Sequence, residues 1–335
     1  MALVRSFVVI SVLFFVNIFA HSETQEIVQK RATVPAEQVK SIYVKGYVGT
    51  VEFVEKANLS QIELKYSYKQ EASWSVETHL DSKGQFLVEV KGPDSKEQWP
   101  RVLSEYPDIK MTIEGPARPV QCFLKKGELK FDQWSGDIFS HLQSGNLVLS
   151  GGKGEADLTS HDGEIMIKGR EGDIQVETYR SQVVINSAVG KVNVNNYSGK
   201  TELVKTDAEI TLASHKGQTR VQDSQGKLNF KNGISPLKIE SFEGEVRGDS
   251  EQGAVVARLK GELNVRIHSV EGPVDISTRN SGARVNLGTI NGQFNVAPYL
   301  KLTRYRSIKV MSGRLRGEKK GYVFVRTESG QIRIR

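Results

Sequence analysis

Between Gly136 and Gly253 a small residue returns every nine positions: Gly136, Gly145, Gly154, Gly163, Gly172, Ser181, Gly190, Gly199, Ala208, Gly217, Gly226, Ser235, Gly244 and Gly253. A fixed short period confines a chain to repeat architectures, in which each unit buries its apolar face against its neighbours. In nearly every unit apolar residues follow two and four places on, as in Ile165/Ile167, Ile174/Val176, Val183/Ile185, Val192/Val194, Ile210/Leu212 and Leu228/Phe230. Polar residues such as Glu164, Gln175, Lys191 and Asn193 sit beside and between them. Alternation with period two reads as a half-buried strand, and the returning glycine as a turn. Each unit therefore predicts one short strand and one tight corner.

A second period shows how such strands stack. Two places before alternate small residues stand His161, Tyr179, Tyr197 and His215, 18 apart. One place earlier the ladder reads Ser160, Thr178, Asn196, Ser214, Asn232 and Ser250. The other corners hold Gly151, Gly169, Ser187, Lys205, Asp223 and Ser241 instead. Odd and even units thus occupy different places, and the simplest coil is a pair of successive units, with two strands. Successive coils are expected about 4.8 Å apart, with parallel in-register strands. The Ser/Thr/Asn ladder is expected to hydrogen-bond along its column. After Gly253 the register loosens, yet Gly261, Gly272, Gly292, Gly321 and Gly330 still precede apolar pairs such as Leu263/Val265, Val274/Ile276, Phe294/Val296, Val323/Val325 and Ile332/Ile334. The expected fold is all-β: a parallel β-solenoid, or β-helix, regular over residues 135–260. Residues 261–335 are read as irregular coils ending in a distorted last coil and a basic C-terminal cap.

Residues 23–134 lack the short repeat but alternate as strands, for example at Ser41–Lys45, Phe86–Val90 and Ile109–Ile113. They are read as a β-rich N-terminal region that caps the solenoid. Within it, Gly92 to Asp108 carries prolines, acidic residues, Trp99 and Tyr106, and reads as a long loop. Residues 1–22 read as a secretory signal peptide: Arg5, an apolar run from Phe7 to Phe19, and a small-x-small site at Ala20-His21-Ser22. That run is short for a membrane span, and the mature chain has no other candidate. An exported protein, periplasmic or at the cell surface, is the expectation. The single cysteine, Cys122, lies among apolar neighbours and reads as a small buried hydrophobe.

Charge is concentrated at one end. Of the chain's formal +7, residues 301–335 hold eleven basic residues against Glu318 and Glu328, a local net of +9. Arg304, Arg306, Arg314, Arg316, Lys319 and Lys320 are the binding candidates in this block. Two readings stand: attraction to an anionic envelope component such as lipopolysaccharide, an acidic glycan or lipid head groups, or charges that stop solenoids stacking end to end. An envelope protein is a further candidate partner. No nucleic-acid recognition motif is present.

Chemistry finds little support in the sequence. Asp137 and Asp173 would lie two coils apart, with Glu155 between them, an acidic column that reads as solvated surface. The repeat turns lack the aspartate and glycine pattern that calcium-binding rolls need. His161 and His215 are three coils apart, and His79, His141 and His268 have no ligand-spaced neighbours, so no metal site is expected. No nucleophile elbow, phosphate loop or cofactor motif occurs. The reading is non-enzymatic. His161, Tyr179, Tyr197 and His215 either form an aromatic ridge for sugar rings or a partner, or stack on one another and shield the corner. Val148, Met166 and Val184 are expected to face outward, covered from within the chain or by a partner.

The segments Ser135-Gly136-Asp137-Ile138, Gly163-Glu164-Ile165, Gly172-Asp173-Ile174-Gln175-Val176 and Gly244-Glu245-Val246 are similar to the bacterial "putative adhesin" family of β-strand repeat domains of unknown function, related to auto-transporter adhesin head (GIN) domains. Upstream, Ile113-Glu114-Gly115-Pro116 followed by Gly127-Glu128-Leu129 resembles that family's entry into its repeats. The resemblance covers residue 40 to the end. It implies a right-handed solenoid at the cell envelope and brings no catalytic or binding residues with it. The function expected is an exported, adhesin-like binding module that uses a solenoid face or the basic end. A structural spacer or assembly scaffold is the alternative, and a carbohydrate-active β-helix enzyme is the third.

Overall fold

The computed structural model describes residues 27–69, 74–93, 106–278, 282–318 and 320–335. Residues 1–22, read in the sequence as a signal peptide, Trp99 with most of the Gly92–Asp108 stretch, and Lys319 lie outside the described residues. The chain divides into two compact units, Met1–Glu155 and Ala156–Arg335.

Alternation of buried and exposed residues builds every strand of the first unit: β1 (Ile27–Pro35), β2 (Ser41–Lys45), β3 (Val48–Glu55), β4 (Gln61–Lys69), β5 (Ser75–Leu80), β6 (Gln85–Lys91), β7 (Asp108–Gly115), β8 (Val120–Asp132) and β9 (Ile138–Ser150). β8 and β9 pair in parallel at the offset of one expected coil, from Val120 opposite Ile138 to Asp132 opposite Ser150. On its other side β8 meets β2 and β3 at one constant offset, Ile42 opposite Val120 and Val48 opposite Lys126. Ser41–Glu55 is therefore already one coil, although the strand it stacks on comes much later in the chain. β6 extends the β2 side and β7 the β3 side, both in parallel, while β5, β4 and β1 add antiparallel strands. Ile42, Val44, Phe53, Val88, Ile113, Cys122 and Leu129 are fully buried between the two sides. Phe53 stacks on Phe131 at 4.7 Å, and the buried indole of Trp134 donates to the Arg118 carbonyl at 2.9 Å.

The second unit follows the predicted coil register. β10 (Ala156–Lys168), β11 (Ile174–Asn186), β12 (Val189–Val204), β13 (Asp207–Gln222), β14 (Gln225–Asn232) and β15 (Leu237–Ser250) are stacked in parallel. Inward columns such as Ile174, Val192, Ile210 and Leu228 are buried to within a percent. The corners differ from the expectation. Strands β10 and β11 run 13 residues and β12 and β13 run 16 residues, straight through the returning glycine. The two expected segments are joined by a bend, at which pairing skips the residue pair His161 and Tyr179 and then resumes. At this bend Gly217 (φ +109°) cannot be replaced freely, because a Cβ there would stand 2.1 Å from the Gly199 carbonyl oxygen of the adjacent coil. At the other corner the strands break, except at Ser241 within β15, and the corner residue is left-handed: Gly169, Ser187, Lys205, Asp223 and Ser241 have φ between 49° and 71°.

The Ser/Thr/Asn ladder is buried, as Asn196 (0%) and Ser160 (2%) show, but its bonds mainly cross the bend rather than climb the column. Thr178 Oγ1 donates to Ser181 Oγ at 2.6 Å, and Asn196 Nδ2 to the Ser181 carbonyl at 2.9 Å and Thr201 Oγ1 at 3.0 Å. Asn232 does reach up its own column, to Ser250 Oγ at 3.1 Å.

Beyond Ser250 the order of strands in space departs from their order in the chain. The remaining strands are β16 (Val255–Ser269), β17 (Val274–Thr278), β18 (Arg284–Thr289), β19 (Phe294–Asn295), β20 (Lys301–Tyr305), β21 (Ile308–Arg314), β22 (Gly321–Thr327) and β23 (Ile332–Ile334). β22 and β23 lie directly on β16 and β17. β18 and β19 lie on the far side of β22 and β23. β21 then pairs antiparallel with β18, and β20 with β21. The distorted last coil expected at the chain's end is thus an inner coil, and a hairpin drawn from earlier residues is outermost.

Candidate functional site

Parallel in-register stacking turns sequence spacing into rows across a face. Thr211, Asn229, Arg247, Arg266 and Phe324 face one another on β13, β14, β15, β16 and β22. Two residues on, the same strands align Ala213, Lys231, Asp249, His268 and Arg326. Both rows point outward, because the residues between them, Leu212, Phe230, Ile267 and Val325, are buried. Over these rows lies an open hollow of about 520 Å³. A second hollow of about 390 Å³ reaches Tyr197 and His215, and a third of about 230 Å³ lies over Gln175, Glu177, Asn193 and Asn195. The small side chain of Ala213 borders all three, so they form one shallow trough.

One end of the trough is cationic and aromatic. Phe324 has the Arg326 guanidinium 4.1 Å and the Arg266 guanidinium 5.7 Å from its ring centre. Arg326 also donates to Asn286 Oδ1 at 2.9 Å, and partial burial pulls its pKa below the usual guanidinium value. Arg247 donates to Glu245 at 2.7 Å, and His268 lies 3.8 Å from Asp249. The other end is rich in amides, Gln175, Asn193 and Asn195, and carries the acidic Glu177 among them. Such a surface offers donors, acceptors, a ring face and positive charge, and no carboxylate pair free of a basic neighbour at the cationic end. This face was missed in the sequence because Arg266 comes one place later than the coil period requires after Arg247, and Phe324 arrives through the inserted β22. The evenly spaced run Thr211, Asn229, Arg247 was the available signal.

The aromatic column is present as a continuous stack. His161, Tyr179, Tyr197 and His215 have successive ring centres 5.1, 5.0 and 5.0 Å apart, with planes 21°, 3° and 26° from parallel. The faces of the two tyrosines are covered by their neighbours, so a ligand meets their edges; Tyr179 is 46% exposed. His215 leans over Gly233, where a Cβ would come 2.7 Å from Nδ1. Beside the stack, Asp162 accepts from His161 at 2.8 Å and, in a fork, from Arg180 at 2.7 and 3.0 Å. The Arg180 guanidinium, then His161, hold the Asp162 carboxyl down at about 2.

The basic candidates do not gather into one cluster with the column. Arg304 and Arg306 are exposed on the β20–β21 hairpin. Arg314 donates to the Gly282 carbonyl at 2.8 Å, Arg316 lies 4.8 Å over the Tyr299 ring, and Lys320 is exposed. Asp137 accepts the Glu155 backbone N–H at 3.0 Å and Asp173 that of Lys191 at 3.3 Å, so each carboxylate ties its coil to the next. Met166 is exposed, while Val184 and Val148 are half-buried in their respective units. Burial pushes the Cys122 thiol pKa far up. Among the described residues no group of three or more His, Cys, Asp or Glu could hold a metal ion, and no helix is long and apolar enough to cross a membrane.

No curated protein matches the chain. Among solved structures, a "putative cell adhesion protein" from Clostridium sporogenes shares 10% identity, covering 92% of this chain and 99% of its own, with a TM-score of 0.21. A "putative adhesin" from Parabacteroides distasonis shares 11%, covering 75% and 97%, with a TM-score of 0.26. One from Parabacteroides merdae shares 10%, covering 76% and 96%, with a TM-score of 0.28. The Toastrack DUF4097 family profile matches residues 10–335. With that match over nearly the whole sequence and a parallel β-solenoid beneath it, the chain belongs to the Toastrack DUF4097 family.

Proposed function

We propose that this protein is an exported, non-enzymatic binding module of the cell envelope whose ligand is an acidic glycan laid along the trough. The observation that carries the reading is the alignment of Asn229, Arg247, Arg266 and Phe324 on consecutive stacked strands beside Lys231, His268 and Arg326. Strands at about 4.8 Å spacing fix the backbone positions of these groups, so only the side chains have to be ordered at binding. Guanidinium groups match carboxylate and sulfate oxygens in two-point contacts, and an aromatic ring beside them accepts the apolar face of a sugar. The amide-rich end supplies neutral hydrogen bonds to hydroxyls. The acids at the cationic end, Glu245 and Asp249, lie beside Arg247 and His268, which suits binding rather than proton transfer. Export rests on the Arg5-to-Ser22 pattern in the sequence.

Affinity electrophoresis of the mature chain through polygalacturonate, beside an uncharged glucan, tests this. Retardation by the acidic polymer, with Kd raised at least tenfold by Arg266→Gln with Phe324→Ala, is the expected result. Equal mobility in both polymers, or retardation indifferent to the double variant while its melting is unchanged, would refute the trough as the site and favour a spacer role.

A further inference from the structure

The outermost strands of the second unit present a different chemistry from the trough. β20 and β21 form a hairpin with Tyr305 opposite Ile308, so the turn is the pair Arg306 and Ser307, with Arg306 left-handed (φ 53°). β21 covers the edge of β18, which meets the need to protect a solenoid end. That role does not explain the tip. Tyr305 is 67%, Leu302 47% and Ile308 43% exposed. Tyr305 and Ile308 are cross-strand partners on one face, and Leu302 lies on the opposite face of β20. A solvated edge device has no need of three large apolar side chains at its most exposed point.

Around them are bases alone. No acid occurs from Lys301 to Gly317. Lys309 is tied to the Gly292 carbonyl at 2.8 Å and Arg314 to that of Gly282. Lys301, Arg304 and Arg306 are exposed and make no ion pair among the described residues. Apolar groups ringed by unpaired cations complement a surface that is anionic outside and hydrocarbon within. Tyrosine favours the boundary between the two, and Lys and Arg stems let aliphatic carbon sink while the charge stays at the head groups. Shallow apolar insertion and electrostatic attraction are each weak alone and together give stable attachment. A second copy pairing along the free edge of β20 is disfavoured by the like charges of Lys301 and Arg304.

We infer that the β20–β21 hairpin docks the protein on an anionic phospholipid bilayer, with Tyr305, Ile308 and Leu302 entering the boundary and Lys301, Arg304 and Arg306 holding the head groups. The site is separate from the trough, so vesicle binding and polygalacturonate binding can fail independently. Removing the C-terminal strands is not a usable test, since β22 and β23 are an inner coil; point changes at exposed positions are.

The experiment is co-sedimentation of the mature chain with vesicles of phosphatidylcholine alone or mixed with one quarter phosphatidylglycerol, at low and high salt. Binding to the mixed vesicles alone, weakened by salt, is expected. Tyr305→Ser with Ile308→Ser, and separately Arg304→Gln with Arg306→Gln, should each weaken it at least tenfold with unchanged melting. Tyr305→Trp should shift its emission to the blue on mixed vesicles and be quenched by lipids carrying a bromine near the head group. Failure to bind mixed vesicles at low salt overturns the inference. So does binding that survives both double variants, an unquenched Tyr305→Trp, or a sedimentation-measured dimer that the tip variants dissolve.

Discussion

Gly244→Ala tests the packing logic of the solenoid most directly. Gly244 has φ +130°, and a Cβ built on it would stand 2.0 Å from the Gly226 carbonyl oxygen in the adjacent coil, against 3.4 Å or more for ordinary contact. Two strands must therefore part by over 1 Å, or residue 244 must leave its conformation and take its ladder bonds with it. Backbone strain of this kind costs about 1–3 kcal/mol, and each weakened ladder bond about 1 kcal/mol. A loss of roughly 3–5 kcal/mol is expected, large against the 5–15 kcal/mol typical of a domain. Gly226→Ala (2.2 Å, φ +115°) should follow closely, and Gly190→Ala (2.6 Å, φ +126°) should cost least. Urea unfolding followed by far-ultraviolet circular dichroism gives the magnitudes. Amide exchange shows whether coils around 226 and 244 open before the rest, as nearest-neighbour stacking requires. A loss under about 1 kcal/mol for Gly244→Ala, within the range of an ordinary substitution, would refute the argument that the Gly226 carbonyl leaves no room for a side chain at residue 244.

Three further outcomes follow from the corners and the core. Lys205 is left-handed (φ 53°), which costs a side-chain-bearing residue about 1–2 kcal/mol; after the entropy cost of glycine, Lys205→Gly should gain about 0.5 kcal/mol in urea, and Gly169→Val should lose about 2 kcal/mol. Asp162 should titrate at about 2 by carboxyl NMR, and Arg180→Gln should move it towards 3.8. Because the folded-state value is the lower one, the interaction favours the fold above about pH 4 and is lost as pH falls through about 2, and the variant should lose less stability across that window. Phe230→Ala should cost about 3–4 kcal/mol, while Gly248→Ala, whose Cβ would meet the Phe230 carbonyl oxygen at 2.4 Å and its ring at 2.5 Å, should be destabilising alone and less so, though not neutral, in the Phe230→Ala background where the carbonyl remains; a double-mutant cycle showing coupling below about 0.5 kcal/mol would contradict this.

Where neighbours in space are also neighbours in the chain, the fold was legible. Ile174, Val192, Ile210 and Leu228 recur once per coil and stack in a single buried column. Parallel stacking also occurs within each unit with the period erased, where insertions separate the stacked strands in the chain. Ile42 lies on Val120, and Leu263 on Gly321, at offsets no periodicity search would join. The corners were half legible. Glycine signals backbone freedom, but it does not distinguish the bend at Gly217 from the left-handed turn at Lys205. The aromatic column was placed correctly by its spacing, and its rings stack on one another as one of the two readings held. The cationic trough was hidden: Arg247, Arg266 and Phe324 become a row through a single-position slip and an inserted strand.

The position of β22 and β23 has a kinetic consequence. From Ala156 to Ser250 each coil stacks on the one that precedes it in the chain, so short loops close early and cheaply. β16 and β17 must wait for strands that lie beyond the β18–β21 excursion, and β2 and β3 must wait for β8. Folding is therefore expected to start in the sequential coils of Ala156 to Ser250 and to finish where β2 and β3 meet β8 and where β16 and β17 meet β22 and β23. Until β22 arrives, the β16 edge remains open to any other strand, including that of another copy. The irregular closure that makes the sequence hard to read is thus also the slow, aggregation-exposed step.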